Sequence, residues 1–432
     1  MIDLKDLREN PDKYRQGAKN KQVEVDIDAL LKLDAERIES QKQFEQLRAE
    51  QNRASGEIGK TKDPEAKKAA IARMTELKAQ VKAADERARV ADAELTPLLL
   101  RIPQPADEDV PVGKDAADNV VLYRWGEPPK FTFSPKSHIE LGEKLGLLDF
   151  ARGVKLAGSR SYFLGGMGAE LHNAVLRLAT DMMTRENGFT AMSVPVLVRE
   201  PAMIGTGFFP AGRDQTYQVD PGPEEKFLTG TAEVSLTAFH QNEVLDEGDL
   251  PLKYTAVSTC FRREAGTYGK DTAGLYRVHQ FDKCEQVVVC RNDVEESKQW
   301  HKTMLGYSET LLQRLKLPYR VIQCCTGDIG VKNASMMDIE TWMPSRFDGK
   351  DDATGYGETH SASRLYEFQA RRLNLRYKDK DGKIRFCHTL NNTVVASPRI
   401  LIAILENYQN EDGSITIPEA LRAYVGGQDR IG

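Results

Sequence analysis

The sequence TCFRREAGTYGKDTAGLYRVHQFDKCEQVVV, which spans residues 259–289, decides the fold of this chain. It predicts two strands joined by a Gly-rich loop. Because side chains on a strand alternate between its two faces, Cys260, Arg262 and Glu264 share one face of the first strand. The corresponding face of the second strand carries Arg277, His279, Phe281, Lys283 and Glu285. A face with this many charges is either a solvated edge or a binding surface.

The spacing along this face favours a binding surface. At about 3.3 Å per residue, Phe281 and Glu285 lie roughly 13 Å apart, which is about the length of an amino acid joined to a nucleotide. The order R-x-E, loop, R-x-x-x-F-x-x-x-E offers cations, an aromatic ring and carboxylates to separate parts of such a ligand. We therefore expect ATP and an amino acid to bind here.

The bulk composition is that of a globular protein and excludes several classes of function. The 432 residues carry a formal net charge of -5, so the chain as a whole is not a basic nucleic-acid binder. Six cysteines without a C-x-x-C pair predict reduced thiols in the cytoplasm and no zinc site. Residues 1–10 do not resemble a signal peptide, and the longest apolar runs are too short to cross a bilayer, so we expect no membrane contact.

Residues 27–100 predict an antiparallel helical hairpin. Its second half keeps heptad spacing without a break, through Ala70, Met74, Leu77, Val81, Ala84, Ala88, Ala91, Leu95 and Leu98. Gly56, Gly59 and Asp63-Pro64 separate this half from a weaker pattern that starts at Leu30. Pro97 and the linker 102–118 are expected to end the helices. Two helices of about 30 residues would form a coiled-coil arm about 45 Å long.

The arm carries more basic than acidic residues around its predicted turn, including Lys60, Lys62, Lys67 and Lys68. A charge run on a helical hairpin is usually a solvated face. It can also be an electrostatic surface for an RNA backbone, and the hairpin could equally dock a protein or form a dimer. The pattern leaves these interpretations open.

Beyond the linker the pattern changes to mixed strands and helices. Residues 169–187 predict an amphipathic helix, and residues 190–198 an apolar strand that contains Pro195. Proline is tolerated in strands mainly at edges or bulges, so these elements form either a subunit interface or a surface edge. The predicted domains are residues 1–110, which include the arm, and residues 111–432.

Further polar clusters are candidates for ligand binding. Thr231 can cap a helix that has Glu233 in its first turn, although ordinary capping explains this pair equally well. Glu358 and Ser361 could hold Mg²⁺ against phosphate oxygens, because hard cations prefer oxygen ligands. A capped loop is the alternative for this second pair.

The segment Ser397-Pro398-Arg399 opens an apolar helix. Serine at the N-cap and proline at the first helical position are common start signals. A cation at this end opposes the helix dipole, so Arg399 indicates an anionic or aromatic ligand. The chain has no G-x-x-x-x-G-K-[ST] loop, and arginines with a metal would therefore have to hold ATP phosphates.

Together these motifs resemble those of the seryl-tRNA synthetases, which are class II aminoacyl-tRNA synthetases. The block 169–198 resembles the first class II motif, FRREAG…RVHQFDKCE the second, and TLNNTVVASPRILIAILENYQ the third. The N-terminal hairpin and the IPQPADEDVPVGKD linker extend the resemblance over essentially the whole chain. It implies an α+β fold, in which an antiparallel sheet flanked by helices follows the coiled-coil arm, and a homodimer assembled through residues 165–200.

The resemblance also implies serine–tRNA ligation, in which ATP and Mg²⁺ serve to activate L-serine and the seryl group passes to tRNA(Ser) held by the arm. Whether tRNA(Sec) is charged as well stays open. The catalytic residues would be Arg262, Glu285 and Arg399. The serine pocket would contain Thr231, Glu233, Arg262, Glu285 and Thr393. ATP would contact Arg262, Glu264, Val278, Phe281, Glu358, Ser361 and Arg399, with Glu358 and Ser361 supporting Mg²⁺.

Two alternatives belong to other classes of protein. A carrier-protein aminoacyl ligase would share the catalytic body but lack the long arm. A non-catalytic, nucleotide-binding scaffold would have lost Arg262, Glu285 or Arg399, and all three are present.

The third motif departs from generic class II patterns, because residues 392–398 lack the usual glycines, which makes Thr393 the candidate pocket hydroxyl.

Overall fold

The structure, a computed structural model, describes residues 1–58, 62–220, 222, 224–266 and 271–432. By its internal contacts the chain divides into two compact units. The helical unit consists of Ile2–Lys19 and Val23–Pro103. The sheet unit consists of Met1, Asn20–Gln22 and Gln104–Gly432. No helix of the described residues is both long and apolar enough to cross a membrane.

Two short helices and a long hairpin make up the helical unit. The four helices are α1 (Leu4–Glu9), α2 (Pro11–Asn20), α3 (Ile27–Ile58) and α4 (Pro64–Leu99). The Asp63 side chain accepts a hydrogen bond from the Ala66 N–H at 3.0 Å, and Pro64 occupies the first helical position. The predicted helix start at Asp63-Pro64 is therefore confirmed. Gly59 and Lys60, which the sequence assigns to the predicted turn between α3 and α4, lie outside the described residues.

The contact between α3 and α4 follows the predicted heptad positions. Leu77, Ala84, Ala88, Ala91 and Leu95 are buried along one side of α4, while the residues between them are mostly exposed. Small alanine side chains allow the two helices to approach closely, which favours a tight antiparallel pair.

The prediction that Pro97 ends the second helix is wrong, because α4 continues to Leu99 with Pro97 inside it. A proline removes one N–H donor and crowds the preceding turn. Here the break falls two residues before the helix ends, and the Leu100 N–H still reaches the Thr96 carbonyl at 3.0 Å. Packing of Leu95 and Leu99, both buried, keeps the last turn helical.

Eighteen strands are described in the sheet unit, and most are short. In chain order they are β1 (Val120–Trp125), β2 (Leu148–Asp149), β3 (Phe163–Leu164), β4 (Thr190–Ala191), β5 (Leu197–Arg199), β6 (Tyr217–Asp220), β7 (Lys226–Leu228), β8 (Val244–Asp246), β9 (Leu252–Phe261), β10 (Gln280–Cys290), β11 (Tyr319–Gln323), β12 (Ser335–Trp342), β13 (Tyr356–Tyr366), β14 (Arg376–Lys378), β15 (Ile384–Phe386), β16 (His388–Ala396), β17 (Ile415–Thr416) and β18 (Arg430–Ile431).

Eight of these strands form the main sheet, in the order β1-β11-β12-β13-β16-β10-β9-β4. All neighbours pair antiparallel except β4 and β9, which are parallel. The remaining strands form the small sheets β15-β14-β8, β5-β7-β6, β17-β18 and β2-β3.

Helices cover the main sheet and enclose the core. In chain order they are α5 (His138–Lys144), α6 (Phe150–Ala157), α7 (Met167–Asp181), α8 (Glu200–Gly205), α9 (Glu233–Ala238), α10 (Val294–Arg314), α11 (Phe368–Leu373), α12 (Ser397–Asn407) and α13 (Glu419–Arg422). The largest apolar cluster joins residues of α7, α10 and α12 to the central strands β10 and β16.

Polar contacts fix α10 on the central strand β16. The Asn392 side chain donates to the Met304 carbonyl at 2.8 Å, and the Ser308 hydroxyl donates to the Thr393 carbonyl at 2.7 Å. All four residues are buried, and Thr393 is the most exposed of them at 7%. Apolar packing alone would tolerate sliding of the helix, whereas these bonds set its position along the strand.

Two predicted elements of the first class II motif differ from the structure. The helix ends at Asp181 and continues as a π-helix over Met182–Glu186, so its predicted length is nearly correct. The predicted strand 190–198 is wrong, because two separate short strands, β4 and β5, flank Pro195. Pro195 cannot donate to a sheet ladder, and its carbonyl instead accepts from the Ser235 hydroxyl at 2.5 Å.

The central strand β16 offers a direct test of the core. Leu390 is 1% exposed, whereas Leu122 on the edge strand β1 is 47% exposed. We expect Leu390→Ala to lower the free energy of unfolding by about 2–5 kcal/mol, because it removes buried methyl groups and leaves a cavity. Leu122→Ala should cost less than about 0.5 kcal/mol. Denaturant unfolding of both variants measures this, and equal losses would contradict the assigned core.

Candidate active site

The residues predicted to bind ligand lie around one cavity of about 250 Å³ in the sheet unit. Its lining includes every predicted site residue: Thr231, Glu233, Arg262, Glu264, Val278, Phe281, Glu285, Glu358, Ser361, Thr393 and Arg399. The lining also contains Arg277 and Lys283, which the sequence analysis placed on the binding face without a specific role, and Lys332, which it did not identify.

The pairing of β10 with β9 explains most of the shared face. Phe281 pairs with Cys260 and Glu285 with Ala256, in a register without interruption. The predicted strands are too long, however, because β9 ends at Phe261 and β10 begins at Gln280. Arg262 and Arg277 reach the cavity from beyond the strand ends.

Glu264 and His279 show where period-two alternation fails. Glu264 has a φ of +49°, a left-handed conformation, so its direction into the cavity does not follow from strand alternation. The predicted position of His279 on this face is not matched, because it is absent from the cavity lining. Its Nδ1 lies 2.9 Å from the Arg262 carbonyl.

A β-bulge brings Thr393 opposite Glu285. Cys284 pairs with Val395 and Glu285 with Thr393, so Val394 has no partner on β10. A bulge changes which side chains point to a given face. Thr393 therefore lines the cavity directly beside the carboxylate on the neighbouring strand.

A second bulge lets Glu358 and Ser361 face the cavity together. Residues three apart on a regular strand point to opposite faces. In β13, however, His360 pairs with Ile339 and Glu358 pairs with Glu340, which leaves Thr359 as an extra residue. The alternative of a capped loop is wrong, because these residues belong to a strand, and the bulge places both side chains on the cavity.

A buried ion pair occupies one end of the cavity. The Lys283 ammonium contacts the Glu285 carboxylate, and the two residues are 6% and 1% exposed. The Thr231 hydroxyl donates to Glu285 Oε2 at 3.2 Å. Burial raises the pKa of Glu285, while Lys283 and the Thr231 hydrogen bond act in the opposite direction.

Glu233 forms a second buried pair, with Lys332. The Lys332 ammonium contacts Glu233 Oε1, and Gln369 Nε2 donates to the same oxygen at 2.7 Å. The Thr389 hydroxyl donates to Gln369 Oε1 at 2.7 Å and so fixes the orientation of that amide. The prediction that Thr231 caps α9 is wrong, because Ala232 is the N-cap and no side chain caps the helix, although the Glu233 N–H does donate to the Thr231 hydroxyl at 3.2 Å.

Aromatic rings and arginines form the other end of the cavity. The Arg262 guanidinium lies 5.2 Å from the centre of the Phe281 ring. Arg399 lies 4.6 Å from the Tyr276 ring and donates from Nε to the Tyr276 carbonyl at 3.2 Å. Arg277 forms a salt bridge with Glu264 at 3.3 Å. Such rings and planar cations can hold a flat heteroaromatic group between them.

Arg399 comes from the start of α12. The helix begins at Ser397, one residue earlier than predicted, and no side chain caps it; the Ser397 hydroxyl instead contacts His172. Arg399 Nη1 lies 3.0 Å from Glu358 Oε1. Burial opposes ionisation of Glu358, but Arg399 and Arg262 hold its pKa below the ordinary value.

A carboxyl group that sequence patterns did not indicate lies beside Ser361, on the neighbouring strand. Asp338 pairs with Ser361 across β12 and β13 and is 6% exposed. Burial and the nearby charge of Glu358 raise its pKa well above the ordinary value. Among the described residues, no group donates to Asp338 Oδ1. No local sequence signal marks this residue, because its role depends on the strand pairing.

Comparison with known proteins identifies the family of the chain. The seryl-tRNA synthetase N-terminal domain matches residues 1–105, and the tRNA synthetase class II core domain (G, H, P, S and T) matches residues 216–408. The serine–tRNA ligase of Deinococcus radiodurans is 44% identical over 432 residues, which cover 100% of this chain and 99% of the relative. The chain belongs to the seryl-tRNA synthetase family.

Two solved structures share the architecture of this synthetase. Seryl-tRNA synthetase from Pyrococcus horikoshii, complexed with ATP, matches with a TM-score of 0.89 and 38% identity, covering 100% of this chain and 99% of that chain. Cytoplasmic serine–tRNA ligase from Naegleria fowleri, in complex with AMP, matches with a TM-score of 0.82 and 31% identity, covering 98% and 95%.

These matches confirm the predicted class II fold with its N-terminal helical arm, and the prediction of an aminoacyl-tRNA ligase that uses ATP and serine. They give no support to a carrier-protein ligase or to a non-catalytic scaffold. The roles of the individual cavity residues are not tested by the matches and stay predictions.

Breaking the buried pair Lys283–Glu285 should cause a large loss of stability, and replacing both charged residues should restore most of it. Lys283→Met leaves the Glu285 carboxylate buried without its counter-charge, and we expect the free energy of unfolding to fall by about 3–5 kcal/mol. The double variant Lys283→Met/Glu285→Met should recover most of that loss, because both charges are gone. Thermal and denaturant unfolding measure the three proteins, and a double variant less stable than Lys283→Met would contradict this account.

Proposed function

We propose that this chain activates L-serine with ATP and transfers the seryl group to the 3′ end of tRNA(Ser), using the cavity of the sheet unit. The observation that supports this most strongly is the order of groups along one sheet face. Carboxylates and hydroxyls line one end, Phe281 and Arg399 line the other, and Arg262, whose guanidinium now lies over the Phe281 ring, would turn to the space between them when ligand binds. Serine, the α-phosphate and adenine have the same order in seryl-adenylate.

In this proposal the adenine ring lies between Phe281 and Arg399, and Glu264 accepts a hydrogen bond from its amino group. Arg262 now lies over the ring of Phe281, so adenine must displace its guanidinium. The displaced guanidinium then meets the α-phosphate and the serine carboxylate. In this way nucleotide binding itself moves Arg262 toward the reacting atoms.

Serine is selected by groups that need a hydroxyl partner. Glu285, Thr231 and Thr393 meet at the closed end of the cavity. Alanine would leave some of these buried polar groups unpaired, which is costly. Threonine must be excluded by shape, and one methyl group contributes only about 1–3 kcal/mol to discrimination.

The donor set at Glu358 and Ser361 suits Mg²⁺, because both offer oxygen and a partly unsatisfied carboxylate, Asp338, lies behind Ser361. Bound Mg²⁺ would neutralise charge on the phosphates. Among the described residues, no three His, Cys, Asp or Glu side chains converge as a metal site. Glu358 and Ser361 would thus share the ion with ATP oxygens.

The reaction proceeds in two steps that the cavity can align. A serine carboxylate oxygen attacks the α-phosphorus, and the bond to pyrophosphate breaks. The tRNA 3′-terminal hydroxyl then attacks the seryl carbonyl carbon, loses its proton, and AMP leaves. Arg262 offsets the charge that builds on the α-phosphate, and the remaining residues hold the reactants in line.

Residues 1–110 form the tRNA-binding domain and residues 111–432 the catalytic domain in this proposal. The arm binds the tRNA backbone through the basic region around Lys60, Lys62, Lys67 and Lys68. The described lysines of this region are exposed, and the match of residues 1–105 to the seryl-tRNA synthetase N-terminal domain supports an RNA role over a purely solvated face.

A homodimer assembled through residues 165–200 completes the proposal. Leu197 is 41% exposed, and Val257, on the strand beside β4, is 40% exposed. A groove lined by Leu176 and Met192 lies in the same region. Exposed apolar residues next to a groove are typical of a subunit interface.

All six cysteines are free and buried, which fits the proposed cytoplasmic location.

Amino-acid-dependent ATP–pyrophosphate exchange with all twenty amino acids tests the first step. We expect serine alone to support exchange, because only serine satisfies the polar pocket without a clash. Glu285→Ala should reduce exchange by at least 100-fold, in line with about 3 kcal/mol for a buried charged partner. Exchange driven by another amino acid would contradict the assignment of serine as the substrate.

Charge reversal on the arm tests the RNA surface. Lys62→Glu, Lys67→Glu and Lys68→Glu together should raise the KM for tRNA more than about 10-fold and flatten its salt dependence, because phosphate contacts are lost. Pyrophosphate exchange should be unchanged. As a control, the same three changes on exposed lysines of the sheet unit, Lys302, Lys316 and Lys380, should leave tRNA charging intact. Equal effects of both sets would contradict an arm-specific contact.

Sedimentation analysis tests the subunit interface. Leu197→Glu places a charge in the proposed contact and should shift the protein toward monomer at micromolar concentration, because burying an unpaired charge is unfavourable. Leu156→Glu provides the control, since Leu156 is 75% exposed outside residues 165–200. A Leu197→Glu protein that sediments like the wild type would place the interface elsewhere.

A further inference from the structure

The turn that carries Lys332 is held at both ends by one buried lysine. Lys21 Nζ donates to the Gly330 carbonyl at 3.0 Å and to the Asn333 carbonyl at 2.5 Å. The Asn333 N–H closes the same turn on the Gly330 carbonyl at 3.1 Å. Lys21 therefore fixes a four-residue turn whose third residue, Lys332, reaches the cavity.

Lys21 is an unfavourable residue for simple packing. It is 7% exposed, and among the described residues it has no salt bridge to a carboxylate. Burial lowers its pKa to about 7, and the nearby charge of Asp107 only partly offsets this effect. An apolar residue would fill the space without the cost of burying an amine. The geometry points instead to a need for hydrogen-bond donors at the two carbonyls.

At the other side of the turn, Lys332 acts on Glu233. Its ammonium contacts Glu233 Oε1 and lies 4.0 Å from the centre of the Phe208 ring. Gln369 donates to the same Oε1. Two donors thus occupy one carboxylate oxygen, and no residue in the described part of the chain donates to the other, Oε2. Glu233 is held in a single orientation with one oxygen left for a ligand.

We propose that Lys21 and Lys332 are positioning residues for serine, which act through Glu233. Lys21 fixes the turn 330–333, the turn fixes Lys332, and Lys332 fixes Oε1 of Glu233, so that Oε2 accepts from the ammonium group of the bound amino acid. This inference rests on the proposed role of Glu233 in the serine pocket. Neither lysine touches the nucleotide end of the cavity.

This chain of contacts makes a specific kinetic prediction. A loss of the turn or of Lys332 frees Glu233 to rotate, which weakens a contact to serine and none to ATP. A general loss of structure would instead affect both substrates. The two lysines act in series, so removing the second adds little once the first is gone, as expected for residues in one network.

Serine- and ATP-dependent pyrophosphate exchange with the full-length protein tests the proposal. We expect Lys21→Met and Lys332→Met each to raise the KM for serine by about 10-fold, the equivalent of about 1.4 kcal/mol, with the KM for ATP changed less than about twofold. The double variant should have a serine KM no more than about twofold above that of Lys332→Met. Lys302→Met, an exposed lysine, is the control and should behave like the wild type.

The outcomes separate the two levels of inference. If the wild type shows no serine-dependent exchange, the proposed function fails. If the wild type is active, the positioning role is overturned when Lys21→Met leaves the serine KM unchanged or raises the KM for serine and the KM for ATP equally. It is also overturned when the effects of Lys21→Met and Lys332→Met on the serine KM multiply in the double variant. Lys21→Gln keeps two N–H donors, so its serine KM should lie closer to the wild-type value than that of Lys21→Met. If Lys21→Met does not fold, Lys332→Met decides: a serine KM equal to that of the wild type overturns the proposal, and a selective rise in the serine KM supports it.

Discussion

The antiparallel pairing of β10 with β9 on one side and with β16 on the other determines the geometry of the whole site. This register places Phe281 beside Cys260 and Glu285 between Ala256 and Thr393. Because neighbouring strands lie about 4.8 Å apart and residues on one face repeat about every 6.6 Å, the sheet fixes the separation between the proposed adenine end and the proposed serine end. The bonds from α10 to β16 fix the position of that helix along the central strand.

Charge balance is the second constraint. The closed end of the cavity contains two carboxylates, Glu233 and Glu285, and each contacts one lysine. Isolated buried carboxylates would protonate or destabilise the fold. The paired arrangement accommodates polar groups in a buried pocket, and a serine zwitterion adds no net charge to it. In the proposed site its carboxylate would pair with Arg262 and its ammonium with Glu233.

Much of this arrangement follows from local sequence patterns, and the exceptions have physical reasons. The helical arm follows from heptad spacing because helix contacts repeat along one chain. The face of β10 follows from period-two alternation. Thr393 and the pair Glu358–Ser361 face the cavity only because bulges shift the strand register, and no local pattern predicts a bulge. Glu264 faces the cavity because its own backbone is left-handed, which strand alternation does not predict.

Lys332 and Asp338 could not be assigned from the sequence for a different reason. Each acquires its role from a partner far away in the chain, Glu233 in one case and Ser361 in the other. Single-sequence patterns describe which residues share an element, whereas these contacts depend on which elements become neighbours. The same holds for Lys21, whose partners lie more than 300 positions later.

The central claim is that one sheet face binds serine, α-phosphate and adenine in a fixed order. A crystal structure with a non-hydrolysable seryl-adenylate analogue tests it most directly. The account predicts adenine between Phe281 and Arg399, the Arg262 guanidinium moved from the Phe281 ring to the phosphate mimic, and the serine hydroxyl beside Glu285 and Thr393. An analogue bound in the reverse direction, or with Arg262 still on the Phe281 ring, would contradict it.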